Sequence, residues 1–376
     1  MRYVLFSLSA FVFYAIFYFS YINGLDALGR KAIDSRKLLG VDAPLRTLYT
    51  GVEPIDRILT LLTVFFYPAL DGTSPTLLLH SIGFSGTFGA AWTLVVLESW
   101  RKGNAGTIAA FPAIFGLAAQ LLTFAFATPL ICGLQLGCSI TARRPHADNI
   151  RVPRVVLAVL PTIFVIGFML PTHAMVLPAP DLISVDMKQI AIAIWQPWPA
   201  YVSILITVAY YVLSPFFSKD QHASLSSLRW VYAFAFMNAS LSHLVCWILS
   251  LATVVAPALF NDRFLASLHP SRVFAIVLPW SGAKVDTVAD GVHIFLRWDY
   301  MIGSAGILIW ALTLYTVAHK QILSTVSWPG LLFKVGLLAA LTGPTAAAVE
   351  LMWERDELVF RETEGSKQIS KTKKSS

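Results

Sequence analysis

Nine apolar stretches, each near the length of a membrane-crossing helix, dominate this 376-residue chain. A helix needs about 20 mainly apolar residues to cross a hydrocarbon core about 30 Å thick. The stretches are continuous rather than alternating in polarity, which favours helices over the strands of a membrane β-barrel. They cover residues 4–21, 55–71, 76–97, 107–132, 153–172, 189–213, 230–256, 294–317 and 329–350. The sequence therefore predicts an all-α, polytopic bundle of about eight or nine transmembrane helices, of which 55–71 has the shortest strictly apolar part.

The chain leaves little room for a soluble domain. Charged residues make up 13% of the sequence, against about 25% in soluble proteins, and the mean hydropathy is +0.67. We expect one transmembrane bundle over residues 1–350 and a polar tail over 351–376. Residues 1–21 lack a convincing cleavage site, so we expect a retained first helix, with a cleaved signal peptide as the alternative.

The basic residues predict membrane orientation rather than nucleic-acid binding. The formal net charge is +7, but the Lys and Arg residues lie between and after the apolar stretches. With nine crossings, most of them share one side with the tail, and the positive-inside rule makes that side cytosolic and places the N-terminus opposite. Lys373 and Lys374 end the chain in a pattern that resembles the dilysine retrieval signal of endoplasmic-reticulum membrane proteins. We therefore expect a multi-pass protein of that membrane, with a cytosolic C-terminus.

Acidic residues interrupt or border several stretches. A carboxylate within hydrocarbon costs about 2.5–3.5 kcal/mol even on the more lenient scale, so it needs water, a partner or a function. The predicted topology gathers five carboxylates at the cytosolic end of the bundle: Glu53, Asp56, Glu98, Asp299 and Glu350. Asp299 lies deepest. If the protein is an enzyme, we predict that Asp299 is the general acid that protonates the substrate, with Glu53 or Glu98 as its hydrogen-bond partner or proton relay. Glu350 is a weaker candidate, and solvated carboxylates at helix ends are the alternative.

Aromatic and polar residues within the stretches are candidates for a substrate cavity. Trp298 and Tyr300 flank Asp299, and Arg297 and Asp299 should point about 200° apart on a helix. Pro197 and Pro199 should kink or break the sixth stretch next to Trp195 and Trp198. His243 is a candidate contact beside Asn238 and Ser242. The alternatives are an aromatic belt at the membrane interface and helix-to-helix hydrogen bonds.

Several kinds of chemistry lack their usual sequence patterns. No acidic cluster suited to magnesium and a diphosphate, no nucleotide-binding loop and no zinc-protease pattern occurs. The three cysteines have no metal-ligand spacing, so we expect neither a metal nor another cofactor. Buried carboxylates in an aromatic bundle suit proton-initiated rearrangement of a lipid-soluble substrate. A carboxyl group removed from water retains its proton more readily, and aromatic faces stabilise carbocations.

Three segments carry a family resemblance: GVEPIDRILTLLTVFFYPALDG at 51–72, TPLICGLQLG at 128–137 and LRWDYMIG at 296–303. They resemble the fungal membrane-bound terpene cyclases of meroterpenoid pathways, which include the ascochlorin, ascofuranone and macrophorin cyclases. The resemblance implies a secondary-metabolism enzyme that protonates an epoxide or olefin of a prenylated substrate and cyclises it within the membrane. It also implies membrane lipids and an upstream prenyltransferase and epoxidase as partners.

Two other functions fit parts of the sequence. One is a non-catalytic transporter or accessory protein of a biosynthetic cluster, although no internal repeat typical of transporters is evident. The other is an acyl transferase that uses His243. An apolar cavity containing Asp299 favours the cyclase, whereas a water-filled passage through both faces favours transport.

Overall fold

The computed structural model describes residues 1–41, 43–217 and 225–375, with the backbone alone from residue 364. The principal helices are α1 (Arg2–Asn23), α2 (Leu25–Ser35), α3 (Glu53–Phe66), α4 (Pro75–Ser99), α5 (Pro112–Leu122), α6 (Phe124–Cys138), α7 (Arg154–Val176), α8 (Val185–Trp195), α9 (Trp198–Leu213), α10 (Leu225–Val255), α11 (Val288–Leu323), α12 (Trp328–Thr342) and α13 (Pro344–Ser375). Shorter helices cover Ile140–Arg143, Asp262–Leu268 and Pro270–Val273, and strands β1 (Lys37–Leu38) and β2 (Ala43–Pro44) form an antiparallel pair.

The predicted all-α bundle is confirmed, but the predicted eight or nine crossings are not. Within the described part of the chain, five helical segments are long and apolar enough to cross a membrane: Arg2–Asn23, Arg154–Val176, Trp198–Phe216, Leu225–Val255 and Val288–Leu323. The stretch predicted at 55–71 forms α3, which has 14 residues. A helix of that length spans about 21 Å, which is less than the hydrocarbon thickness.

The stretch predicted at 107–132 is not one crossing but a helical hairpin. Its two helices, α5 and α6, are separated by Thr123, whose φ of 83° and ψ of 153° interrupt the helix. The hydroxyl oxygen of Thr123 then accepts a hydrogen bond from the N–H of Phe126 at 3.1 Å. Thr123 is therefore the N-cap of α6. The chain returns to the end from which it came, because Ser139 after α6 hydrogen-bonds to the side chain of Asn104 before α5.

A second helical hairpin replaces the stretch predicted at 329–350. Gly343, with φ 92° and ψ 152°, separates α12 from α13. An ion pair between Lys334 and Glu354 joins the two helices across the hairpin, so they run antiparallel. Pro344 begins α13, a position where its missing N–H removes no helical hydrogen bond.

Both terminal helices meet the same end of the bundle, which we call the cluster end and define by Glu98, Ser139 and Arg355. Arg2 at the start of α1 lies beside Gly137, and Arg355 of α13 binds Glu98 at 2.9 Å. Nine crossings would place α1's start and the tail on opposite sides, so that part of the predicted topology is wrong. The two hairpins explain the difference, because each enters and leaves at one end.

The predicted tail begins inside the bundle. Helix α13 continues through residue 350 without interruption, and Arg355 and Asp356 are fully buried. Lys373 and Lys374 lie outside the described side chains. The opposite end of the bundle, which we call the loop end, is defined by Asn23 and Val285, joined by a backbone hydrogen bond of 3.0 Å.

Two further features position the interior. The chain breaks between Trp195 and Trp198, as the proline pair predicts, so α8 and α9 are separate helices. Helices α4 and α10 pack closely, since a Cβ at Gly86 would lie 1.8 Å from the hydroxyl oxygen of Ser242. Small residues allow such close approach of membrane helices.

Candidate functional site

A cavity of about 750 Å³ lies between the loop end and the middle of the bundle. This volume falls within the range typical of small-molecule sites, about 300–1,000 Å³. Ten of the helices contribute to its wall, largely with apolar and aromatic side chains. Representative lining residues are Phe17, Arg30, Phe65, Phe84, Thr123, Phe168, Trp195, Asn238 and Asp299.

Asp299 reaches the cavity at the tip of the α5–α6 hairpin. Its side chain is 4% exposed, and its Oδ1 accepts the N–H of Ala125 at 2.5 Å. The carboxyl group therefore caps the N-terminus of α6, where unpaired N–H groups and the helix dipole favour an acceptor. Helix α11 permits this contact through Gly303, where a Cβ would lie 2.2 Å from the Phe124 ring.

Aromatic rings form much of the cavity wall around Asp299. The ring of Phe124 lies 5.7 Å from that of Phe84 and 5.0 Å from that of Phe88. On the loop-end side, Phe65 and Phe295 meet edge to face at 4.7 Å. Faces of such rings attract positive charge through their quadrupoles, so the wall suits a cationic hydrocarbon.

The cavity has a polar rim at the loop end. Asp26 and Arg30 of α2 line it there and form an exposed ion pair. The lining extends inward to Gln120 and Asn238 near the hairpin tip, and none of the cluster-end acids belongs to it. The described cavity therefore runs from one end of the bundle to its middle.

A separate network of buried charges occupies the cluster end. Glu98 accepts from Arg101 and Arg355, while Asp356 accepts from Arg101 at 2.7 Å and from Tyr232 at 2.7 Å. The four charged side chains are at most 3% exposed. Two arginines thus balance two carboxylates, which is the condition under which buried charges are tolerated.

Comparison with known proteins places these features in a family. The CtvD domain model matches residues 1–360. Terpene cyclase ctvD of Aspergillus terreus is 32% identical over 364 residues, covering 94% of this chain and 98% of that protein. The chain belongs to the CtvD domain family.

Other relatives of this CtvD-family protein carry the same kind of name. Terpene cyclase penA of Penicillium crustosum is 30% identical, covering 94% of this chain and 95% of that protein. Terpene cyclase ascI of Acremonium egyptiacum is 29% identical, covering 83% of this chain and 80% of that protein. No solved structure matches the chain. The family resemblance in the sequence is thus confirmed, and these relatives support a terpene cyclase role.

The predicted cluster of five carboxylates does not form in the CtvD-family protein. Glu53 is exposed at the start of α3, 3.9 Å from Arg57. Glu98 lies in the cluster-end network, and the 10 residues from Phe88, the last cavity-lining residue of α4, place it about 15 Å along the helix from the cavity wall. The prediction of Glu53 or Glu98 as a partner of Asp299 is therefore wrong.

The other two acids also lie apart from Asp299. Glu350 is partly exposed on α13, near the Lys334–Glu354 pair. Asp56 accepts N–H groups from Tyr49, Thr50 and Gly51. Hydrogen bonds led by those from Thr50 lower the pKa of the Asp56 carboxyl below its ordinary value. Asp56 therefore fixes the loop before α3.

The predicted aromatic contacts lie in four different environments. Trp195 lines the large cavity. Trp198 lies behind the wall, with its ring 4.6 Å from that of Phe168. Trp298 faces the other side of α11, where its Nε1–H donates to the carbonyl of Val277 at 2.9 Å. Tyr300 and His243 line a smaller cavity instead, so the direction of each side chain, not its proximity in sequence to Asp299, decides its environment.

The sequence does not predict the hairpin tip, nor three of the four charged residues of the network: Arg101, Arg355 and Asp356. Thr123 stands in a continuous apolar run, and a single hydroxyl there does not indicate a helix break. Arg355 and Asp356 fall within the polar tail predicted at 351–376, yet both are buried. Both residues have apolar neighbours on either side, in the segment LMWERDELVF. Charged residues flanked in this way are typical of the interior of a helical bundle, and this pattern could have predicted their burial.

Proposed function

We propose that this protein is a membrane-embedded terpene cyclase that initiates cyclisation by protonating an epoxide or olefin of a prenylated substrate, without ionising a diphosphate. The observation that carries the proposal is the placement of Asp299, a buried carboxyl group, in the wall of a large aromatic cavity. An apolar prenyl chain would enter from the loop end and bring its terminal epoxide or double bond to the hairpin tip.

The first step transfers a proton from Asp299. In an epoxide the proton goes to the ring oxygen, and the C–O bond breaks as a double bond of the chain attacks the carbon. In an olefin the proton goes to a terminal carbon and leaves the cation on its neighbour. The Ala125 N–H, held at 2.5 Å from Oδ1, stabilises the carboxylate that remains, as does the N-terminus of α6.

Ring closure then moves the cation along the chain. Phe84, Phe88 and Phe124 are positioned to stabilise it, because aromatic faces attract positive charge but do not readily add to it. Loss of a carbon-bound proton ends the reaction and restores the proton count, so product and substrate have equal mass. The membrane supplies the lipid-soluble substrate, which would come from an upstream prenyltransferase and epoxidase.

The cavity's extent favours a binding site over a transport passage. Its described lining reaches from Asp26 and Arg30 to the hairpin tip and excludes the network of Glu98 and Arg355. Transport or an accessory role remains the second candidate, since a half-open cavity also occurs in one state of a transporter. For an acyl transferase, His243 would need a nucleophile or acid beside it, whereas its Nε2 contacts the carbonyl of Ala340 at 3.2 Å.

Product analysis tests the proposal. Microsomes containing the full chain would be supplied with epoxidised farnesyl and geranylgeranyl phenols and with the matching olefins. We expect a cyclised isomer of unchanged mass from the wild type and none from Asp299→Asn. Glu53→Gln is the matched control, because it makes the same carboxyl-to-amide change at an exposed site.

Deuterated water distinguishes the two triggers. Protonation of an olefin leaves deuterium on carbon, whereas protonation of an epoxide leaves it on an exchangeable hydroxyl group. A cyclised product that persists in Asp299→Asn would retain the cyclase and reject Asp299 as its acid. Failure of all four substrates with a folded wild type would favour the transport or accessory role.

A further inference from the structure

A smaller cavity, of about 270 Å³, lies behind the Phe84 wall. Phe84 lines both cavities, but the smaller one receives Arg297 rather than Asp299. These two residues are separated by about 200° around α11, so they face different spaces. The polar lining of the smaller cavity consists of His80, His243, Arg297 and Tyr300, with Trp247 and Phe274 among its apolar residues.

Arg297 enters this cavity without a counterion. Among the described residues no carboxylate forms an ion pair with it, and its Nε has no hydrogen-bond partner. Its guanidinium lies over the rings of Phe274 and Tyr300, at 5.4 and 5.7 Å from their centroids. Arginines within membrane segments usually pair with an acid or a carbonyl group. The cavity therefore contains a positive charge whose neighbours are aromatic faces and the Cys246 thiol, with no carboxylate among the described residues.

His80 adds an unused hydrogen-bonding atom to the same space. The residue is 3% exposed, and its Nε2 has no partner among the described residues. We assign the ring proton to the other nitrogen, which faces the backbone of Leu296. In a neutral ring Nε2 is then an acceptor. Neighbouring His293 does not use it, because the His293 Nε2 contacts the carbonyl of Val273 at 3.2 Å.

We propose that the smaller cavity binds a phosphate-type oxyanion that retains a proton, either free phosphate or the phosphate monoester of a lipid headgroup. The charged oxygens would pair with the planar guanidinium of Arg297, which suits two-point contact with phosphate. The P–O–H group would donate to Nε2 of His80. Sulfate has nearly the same shape and charge but no proton at neutral pH, so the acceptor on His80 disfavours it. This site is independent of the proposed cyclisation.

Binding of inorganic phosphate to the purified full chain in detergent micelles tests the proposal. Equilibrium dialysis with labelled phosphate at constant ionic strength should show saturable binding, with sulfate competing at least tenfold more weakly. Arg297→Gln should weaken phosphate binding by tenfold or more. The matched control is Arg263→Gln, which changes an exposed arginine that also lies over a phenylalanine ring and should bind phosphate as the wild type does.

A second variant tests the role of His80. In His80→Gln the side-chain amide supplies N–H donors, so sulfate should approach phosphate in affinity. If Arg297→Gln does not fold, Arg297→Lys retains the charge without the planar fork and should give weaker but measurable binding. Unchanged binding in a folded Arg297→Gln protein, or equal affinity of the wild type for sulfate and phosphate, would overturn the proposal.

Nanodiscs distinguish the two sources of phosphate. Phosphatidic acid in a phosphatidylcholine bilayer should change the fluorescence of Trp247, a lining residue, and should reduce the uptake of free phosphate if the site takes a lipid headgroup. The same titration with Trp247→Phe should show no such change, which would assign the fluorescence signal to Trp247. Free phosphate binding that phosphatidic acid leaves unaffected would assign the site to a soluble anion. Absence of saturable binding of either probe would reject the site.

Discussion

Thr123 and Gly343 interrupt two helical hairpins with nearly the same backbone conformation. Their φ and ψ angles are 83° and 153° at Thr123, and 92° and 152° at Gly343. Both hairpins enter from the cluster end, and each tip meets a cavity: Thr123 lines the large one, while Gly343 packs against His243 beside the smaller one. Irregular backbone at membrane depth is tolerated where it lies within protein or lines a cavity, and these two tips satisfy that condition.

Gly343→Ala should destabilise the bundle. A Cβ at Gly343 would lie 3.1 Å from the His243 ring, and the positive φ disfavours any side chain, at a cost of about 1–3 kcal/mol. Gly336→Ala, in the same hairpin, is the matched control, because nothing lies within 4 Å of its added Cβ. Alanine should there favour the helix by about 0.5–1 kcal/mol. Thermal midpoints in micelles measure both, and equal midpoints would contradict the assigned hairpin tip.

Substitution of Asp299 by Asn and by Ala should separate its two roles. Asparagine retains an oxygen for the Ala125 N–H and caps helices well, whereas alanine loses the cap, worth about 0.5–2 kcal/mol. We expect both variants to lose cyclisation and only Asp299→Ala to lose thermal stability. Product formation and thermal midpoints should be measured on the same preparations. An active Asp299→Asn protein would leave Asp299 with the capping role alone.

Glu98→Gln should destabilise the protein severely, although Glu98 lies far from the cavity. The change leaves two buried arginines facing one carboxylate, and removing one partner of a buried ion pair costs about 3–5 kcal/mol. A double variant, Glu98→Gln with Arg355→Met, should lose less than the sum of the two single changes. The thermal midpoints of the wild type, the two single variants and the double variant form a double-mutant cycle. Losses that simply add would argue against a coupled network.

The sequence predicts the helical bundle well because membrane helices require long apolar runs, and it predicts the burial of Asp299 for the same reason. The break at Pro197 is also predictable, since proline removes a backbone donor. In contrast, Thr123 continues an apolar run, and the helix that starts after it is capped by Asp299, which lies 174 residues away in sequence from its partner Ala125. Local patterns contain no information about such a partner.

The same limitation explains the misplaced acids. An acidic residue at the end of an apolar run is equally compatible with water and with a distant arginine. Glu53 is exposed to water, whereas Glu98 is buried against arginines. One of these, Arg355, lies 257 residues away from Glu98 in sequence. A one-residue difference in helix position also decides which cavity a side chain faces. Trp298, Asp299 and Tyr300 are consecutive yet face three different environments.

Acid should remove the stabilising contribution of Asp56. Hydrogen bonds from Thr50, and then from Tyr49 and Gly51, lower the pKa of this carboxyl. A group with a lowered pKa in the folded state stabilises the fold above its ordinary pKa, about 3.9, and loses that contribution as the pH falls through the folded value.

Asp56→Asn should therefore lower the thermal midpoint at pH 7, and the gap from the wild type should narrow as the pH falls below about 4. Asp181→Asn, a change in an exposed loop, is the control and should follow the wild type at each pH. Thermal scans in micelles from pH 7 to pH 3 provide the measurement. A gap between the wild type and Asp56→Asn that stays constant over this range would show that Asp56 holds the loop before α3 without relying on its charge.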